Sequence, residues 1–128
     1  MAQKILIVED EKPIAKALEL KLTHSGLDAK AAFNGEEAIK LLEQEKFDLV
    51  LLDLIMPNMD GFAVLQNLKD KNIKVRVIVT SNLSQEEDVK KAKELGAIDY
   101  FVKSDTSLSK IVDYIQTALK NDPDPGGD

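Results

Sequence analysis

Short runs of strand length alternate along the chain with longer stretches in which apolar residues recur every third or fourth position. The runs come five times: Ile5 to Val8, Asp28 to Ala32, Leu49 to Leu52, Val75 to Val79 and Ile98 to Val102. Four of them are rich in β-branched and aliphatic residues, the composition of strands buried on both faces, and are expected to be central. The second alternates polar and small residues and belongs on a rim. Between the runs, helical spacing links Ile14, Ala17, Leu18 and Leu22; Ala38, Leu41 and Leu42; Leu65 and Leu68; Val89 and Ala92; and Leu108, Ile111, Val112, Ile115 and Leu119. Five strands, each followed by a helix, predict an α/β domain: a doubly wound five-stranded parallel sheet covered on both faces. Asn34 with Glu37, and Ser84 with Glu87, have the spacing of helix-starting capping boxes. Gly26 and Gly96 stand where two helices should stop. Residues 121–128 hold two prolines, two glycines and no apolar side chain, and read as a disordered tail or linker stub after a domain spanning 1–120.

The 128 residues accommodate one domain. With 44% apolar and 31% charged residues the composition is that of a water-soluble globule. The absence of cysteine excludes disulfides, thiol nucleophiles, zinc–thiolate sites and iron–sulfur clusters. The start Met1-Ala2-Gln3-Lys4 lacks a signal peptide's apolar stretch, and no run approaches the ~20 residues of a membrane span, so a cytoplasmic protein without membrane attachment is expected. A net charge of −6 would repel nucleic acid phosphates, and no direct nucleic acid binding is expected.

In such a sheet, ligands bind beyond the carboxyl ends of the strands. There the chain carries Glu9-Asp10-Glu11 after the first strand, Asp53 after the third, Thr80-Ser81-Asn82 after the fourth and Lys103 after the fifth. Three clustered carboxylates repel one another, and a hard divalent cation with oxygen ligands, Mg²⁺ being the most available, relieves that repulsion. Asp10 or Glu11 could instead cap the first helix, with Pro13 just inside it. Asp53 is harder to assign to structure, because Leu54-Ile55-Met56-Pro57 supplies no neutralising base. A carboxylate beside a bound cation can act as a nucleophile towards phosphorus, and Lys103 could pair with the same phosphoryl group. The alternative for Lys103 is a solvated surface lysine.

The segments Ile5 to Glu11 (ILIVEDE), Leu51 to Gly61 (LLDLIMPNMDG) and Leu95 to Lys103 (LGAIDYFVK) resemble the receiver domain of two-component response regulators, in its order and spacing. The resemblance covers about residues 3–120 and implies a flavodoxin-like, chemotaxis-regulator-like fold with strand order 2-1-3-4-5. It further implies Asp53 as phosphoacceptor, Asp10 as a direct Mg²⁺ ligand, Glu9 as a ligand through water, and the Ile55 backbone carbonyl as a further ligand. Ser81, 22 positions before Lys103, matches the switch hydroxyl and is preferred to Thr80, which could simply satisfy backbone at a strand end. Tyr100 matches the aromatic switch, against an ordinary amphipathic tyrosine. Ser104 stands where the family usually has a proline, and Asn82 where a smaller residue is common. The positions two beyond acceptor and switch are Ile55 and Leu83, which cannot orient water, so slow self-hydrolysis is expected.

The resemblance makes this a signalling switch rather than an enzyme with an external substrate. Its partners would be a sensor histidine kinase or histidine phosphotransfer protein, and a downstream protein meeting the fourth helix, fifth strand and fifth helix. A phosphate-independent binding module and a receiver fragment of a larger transcription factor are the alternatives. An aspartyl-nucleophile phosphatase would need a second acid where Ile55 stands. A flavin mononucleotide carrier would find its phosphate repelled by Glu9-Asp10-Glu11. His24 is read as a helix-end residue favourable to the dipole, not a phosphoryl donor, and Lys90-Lys91-Ala92-Lys93 as the wet face of a helix.

Overall fold

β1 (Lys4–Val8) pairs in parallel with β2 (Asp28–Ala32) on one side and β3 (Leu49–Asp53) on the other, and β4 (Arg76–Ser81) and β5 (Asp99–Val102) extend the sheet beyond β3. The resulting order, 2-1-3-4-5, is the one the family resemblance implied. The computed structural model describes residues 3–83 and 85–121. Each strand leads into a helix: α1 (Lys12–His24), α2 (Gly35–Gln44), α3 (Gly61–Asp70), α4 (Glu86–Glu94) and α5 (Leu108–Asn121). The chain folds as a doubly wound flavodoxin-like sandwich. Ile5, Ile7, Leu49, Leu51 and Ile78 face α1 and α5, while Leu6, Val8, Val50, Leu52, Val77 and Val79 face α2, α3 and α4. Period-2 alternation sends successive side chains to opposite faces, so continuous apolar runs fill two cores at once.

Two features of the sheet differ from the apolar pattern. The fifth run, expected to be central, is the far edge, and all four of its residues are only half-buried. Its apolar residues serve two covered faces: Phe101 packs edge-on against Tyr114 on α5, 5.0 Å between ring centroids, and Tyr100 packs on the opposite face against the core under α2, α3 and α4. The fourth strand runs from Arg76 to Ser81 instead of Val75 to Val79, so Thr80 and Ser81 lie inside it. They are polar but still pair with β5, Ser81 opposite Val102. The second strand is the rim strand its alternation predicted.

Local signals act largely as expected. Asn34 caps α2 by accepting the Glu37 N–H at 2.9 Å, and the Glu37 carboxylate reaches back to the Phe33 N–H at 3.2 Å. Gly26 (φ +88°) and Gly96 (φ +112°) follow α1 and α4 in the left-handed region. Gln85 occupies the N-cap of α4 without a side-chain cap bond. Ser84, expected in that role, and the tail beyond residue 121 lie outside the described residues. His24 is exposed in the last turn of α1. No helix among the described residues is long and apolar enough to cross a membrane.

Candidate functional site

The carboxyl ends of β1, β3, β4 and β5 converge on one cleft of about 240 Å³ lined by Asp10, Glu11, Asp53, Ile55, Asn82 and Lys103. Glu9 prolongs β1: its N–H donates to the Ala32 carbonyl at 3.0 Å, which fixes its side chain at the mouth of the sheet. Asp53 is the last residue of β3, in register with Thr80. Both are buried, Glu9 to 2% exposure and Asp53 to 5%, while Asp10 is half-buried. One oxygen from each of Glu9, Asp10 and Asp53 lies within 4.8 Å of the others.

The partner that Asp53 lacks in its own loop comes from the residue directly after β5. The ammonium of Lys103, a side chain 18% exposed, donates to Glu9 Oε1 at 2.5 Å and to Asp53 Oδ2 at 3.1 Å. The remaining oxygens are held by backbone: the Glu11 N–H donates to Glu9 Oε2 at 3.1 Å and the Ile55 N–H to Asp53 Oδ1 at 3.2 Å. Lys103 is therefore not a solvated surface lysine. Burial would lower its ammonium, but the hydrogen bond to Glu9 and the charge of Asp53 outweigh that and hold it above its ordinary value. Burial raises the Glu9 carboxyl, and the Asp53 charge adds to this against the pull of Lys103.

The residues fit the divalent cation that the acidic cluster suggested. Three carboxylates against one ammonium leave two negative charges in a small, partly dry volume, which one doubly charged ion with oxygen ligands balances. Glu9, Asp10 and Asp53 could hold it, and Ile55 lines the same cleft. The capping alternative for Glu11 fails: it occupies the N-cap of α1, but its side chain makes no cap bond, and Pro13 lies in the first turn.

The two hydroxyls of β4 separate by face. Thr80 lies on the face of Ile78 and lines a cleft between α1 and α5. Ser81, fully buried, lies on the face of Val77 and Val79, which is that of Tyr100. The Ser81 hydroxyl accepts the Leu83 N–H at 3.2 Å, and the Tyr100 hydroxyl donates to the Leu83 carbonyl at 2.6 Å. Burial raises the Tyr100 phenol, with the Ser81 hydroxyl pulling it back and the charges of Asp88 and Asp53 pushing it further up. Sequence reasoning saw Leu83 only as an apolar shield and missed that its backbone joins Ser81 to Tyr100, since a peptide group leaves no mark in residue identity. It also missed the pairing of Lys103 with Glu9. Ser104 follows through a trans peptide, within a 3₁₀ turn over Lys103–Asp105 that the pattern did not indicate.

Comparison with known proteins identifies the family and the fold. A family model for the response regulator receiver domain matches residues 5–116. The receiver domain of the Francisella response regulator 1452 superposes with a TM-score of 0.87 at 30% identity, over 92% of this chain and 97% of that one. The receiver domain of a signal transduction histidine kinase from Syntrophus aciditrophicus gives 0.82 at 32% identity, over 93% and 91%. The BeF3-activated DrrB receiver domain gives 0.83 at 29% identity, over 94% and 100%.

Proposed function

The chain belongs to the response regulator receiver domain family of two-component signal transduction, and from that premise we propose that it is a switch phosphorylated on Asp53. The observation that carries the reading is the Asp53 carboxylate itself, buried at the mouth of the sheet with Lys103 at 3.1 Å and two further acids beside it. No role in packing calls for three acids converging there from two strands.

The donor is a phosphohistidine on a sensor histidine kinase or a histidine phosphotransfer protein. An Asp53 carboxylate oxygen attacks phosphorus, the P–O bond forms as the P–N bond breaks, and the imidazole leaves with its electron pair and takes up a proton. Lys103, already aimed at Asp53, moves its ammonium onto the arriving phosphoryl oxygens. Asp10, Asp53, the Ile55 carbonyl and, through water, Glu9 would hold Mg²⁺, which would supply neutralisation of phosphoryl charge. Ser81 turns from the Leu83 N–H towards the phosphoryl group and Tyr100 adjusts with it, since both hold Leu83. The face around α4, β5 and α5 is thereby reshaped for a downstream protein, a population shift between two states of one fold. On this reading the domain is no enzyme with an external substrate, catalysing only its own phosphoryl uptake and hydrolysis. It acts in the cytoplasm, free of membrane and of direct nucleic acid contact.

Intact mass after incubation with acetyl phosphate and Mg²⁺ tests the proposal. The wild type is expected to gain one phosphoryl group and Asp53→Ala none. A wild type that binds Mg²⁺ and takes up nothing would instead be a phosphate-independent binding module.

A further inference from the structure

Two residues without a Cβ pack closely on the backbone at the two ends of the segment between β3 and α3, residues 54–60. Gly61 closes its far end: a Cβ there would lie 2.6 Å from the Asp53 carbonyl oxygen and 2.7 Å from Leu54 Cα, and its N–H donates to the Leu54 carbonyl at 2.9 Å. The second is Gly35, the buried first residue of α2, which has no part in the site described above. A Cβ on Gly35 would lie 2.8 Å from the Met59 carbonyl oxygen, 2.8 Å from the Val64 Cγ2 methyl and 2.9 Å from Met59 Cβ. Contacts this short do not occur between real Cβ atoms and their neighbours, so an added methyl must displace something.

What yields is decided by how each neighbour is held. The first turn of α2 is fixed by its reciprocal cap, Asn34 to the Glu37 N–H and Glu37 to the Phe33 N–H, and by buried Ala38, Ile39 and Leu42. Val64, on α3, is wholly buried in a close-packed core. The loop is the softest of the three: Ile55, Pro57 and Asn58 are exposed, Asn58 sits at φ +69°, and Met59 is half-buried. The Met59 N–H donates to the Pro57 carbonyl at 2.9 Å, so a shift of Met59 passes to Pro57, two residues from Ile55.

We propose that Gly35 is a positioning residue for the phosphoacceptor loop: its missing Cβ lets α2 seat against the Met59 carbonyl and so sets where Ile55 stands beside Asp53. The inference rests on the reading of Asp53 as acceptor and of the Ile55 carbonyl as a Mg²⁺ ligand. A 1 Å misplacement can cost a reaction up to about a hundredfold; moving the Met59 carbonyl from 2.8 Å to ordinary contact takes about half an ångström, and passed on to Ile55 that is expected to cost up to about tenfold.

The test compares full-length Gly35→Ala, Val64→Ala and the double variant at low temperature, with folding of each checked first. Thermal stability, Mg²⁺ affinity, uptake from acetyl phosphate and metal-free amide spectra are measured for each. Val64→Ala perturbs the packing of α2 and α3 but leaves the Met59 contact alone, so it is expected to lose stability and keep its Mg²⁺ affinity. Gly35→Ala is expected to weaken Mg²⁺ binding and slow uptake by up to about tenfold, with amide shifts centred on residues 55–60. The double variant relieves the methyl contact and recovers stability relative to the Gly35→Ala loss, while Mg²⁺ affinity stays low because the Met59 carbonyl is still displaced. Should Gly35→Ala not fold, the double variant carries the test. Wild-type Mg²⁺ affinity and uptake in the folded Gly35 variants would overturn the proposal. Failure of the wild type itself to bind Mg²⁺ or accept phosphate would overturn the reading on which it rests, while the loop amide shifts would still report whether Gly35 sets the loop.

Discussion

Lys103→Met removes the ammonium and keeps most of the aliphatic stem, so it isolates the charge at the centre of the site. The Lys103 side chain is 18% exposed, and its ammonium bonds to two carboxylates on buried side chains. Unit charges 3.1 Å apart attract by about 5 kcal/mol at an effective dielectric of about 20, against at most about 1 kcal/mol for an exposed pair. Removing one partner leaves Glu9 and Asp53 buried without compensation, which costs about 3–5 kcal/mol in comparable sites. Glu9 can take up a proton, so a loss near the lower figure, about 3 kcal/mol, is expected near neutral pH without metal. For a chain of this size that lowers Tm by about 10–15 °C. The pH dependence has a definite sign. Burial raises the folded-state pKa of Glu9 above its ordinary 4.5, so between the two values the folded form binds the proton more readily and stability rises as pH falls. Losing Lys103 widens that window, and the deficit of the variant shrinks as pH falls through the folded pKa of Glu9 towards 4.5. Mg²⁺ at a hundredfold excess over its Kd restores about 2.7 kcal/mol, and the variant, with one more uncompensated negative charge, binds it more tightly than the wild type. Urea denaturation near neutral pH and near pH 5, with chelator and with Mg²⁺, reads all three effects. A loss below about 1 kcal/mol that neither pH nor Mg²⁺ changes would mean that Lys103 behaves as a surface lysine, and the electrostatic account of the site would be wrong.

Ile55 and Leu83 offer no side chain to orient water, so the acyl phosphate should be long-lived; Ile55→Asn with Leu83→Glu is expected to shorten its half-life at least about tenfold, followed by the decay of intact mass. A half-life in the wild type shorter than in the polar double variant would refute water exclusion. At the opposite end of the sheet, Lys30 and Lys4 hydrogen-bond Glu45 at 2.6 and 2.5 Å and hold its carboxyl at about 2. An NMR titration should find that midpoint, and because the pKa is depressed, the stabilisation is present above about 4.5 and lost as pH falls towards about 2, a dependence absent from Glu45→Gln. Asn34→Ala removes the cap of α2 and should cost about 1 kcal/mol in urea denaturation. Tyr100→Phe strips the Leu83 carbonyl of its donor; a loss of about 1 kcal/mol and broadened amide signals over residues 82–85 are expected, and an unchanged loop would exclude Tyr100 as its anchor.

The alternation of strand-length runs with helical spacing determined the element order, because period 2 and period 3.6 leave different imprints on which positions must be apolar. The acids after β1 and β3 and the lysine after β5 were equally legible: each alone could cap a helix or be solvated, but their convergence at one edge of a parallel sheet has few structural explanations. Strand position was not: the apolarity of Ile98 to Val102 looks central because both faces of β5 are covered, yet β5 is an edge, and side-chain identity does not record which backbone edge goes unpaired. Nor could the sequence say that Lys103 spends its charge on Glu9 and Asp53, a pairing across 94 and 50 residues that exists only once β1, β3 and β5 end at one place. The same holds for Gly35 and the Met59 carbonyl, and for the Leu83 peptide between Ser81 and Tyr100. Sequence pattern determines what a segment must bury; which backbone atoms then come within a few ångströms of one another is decided by the packing of distant segments, and in this protein that packing sets the charge balance and the fit of the site.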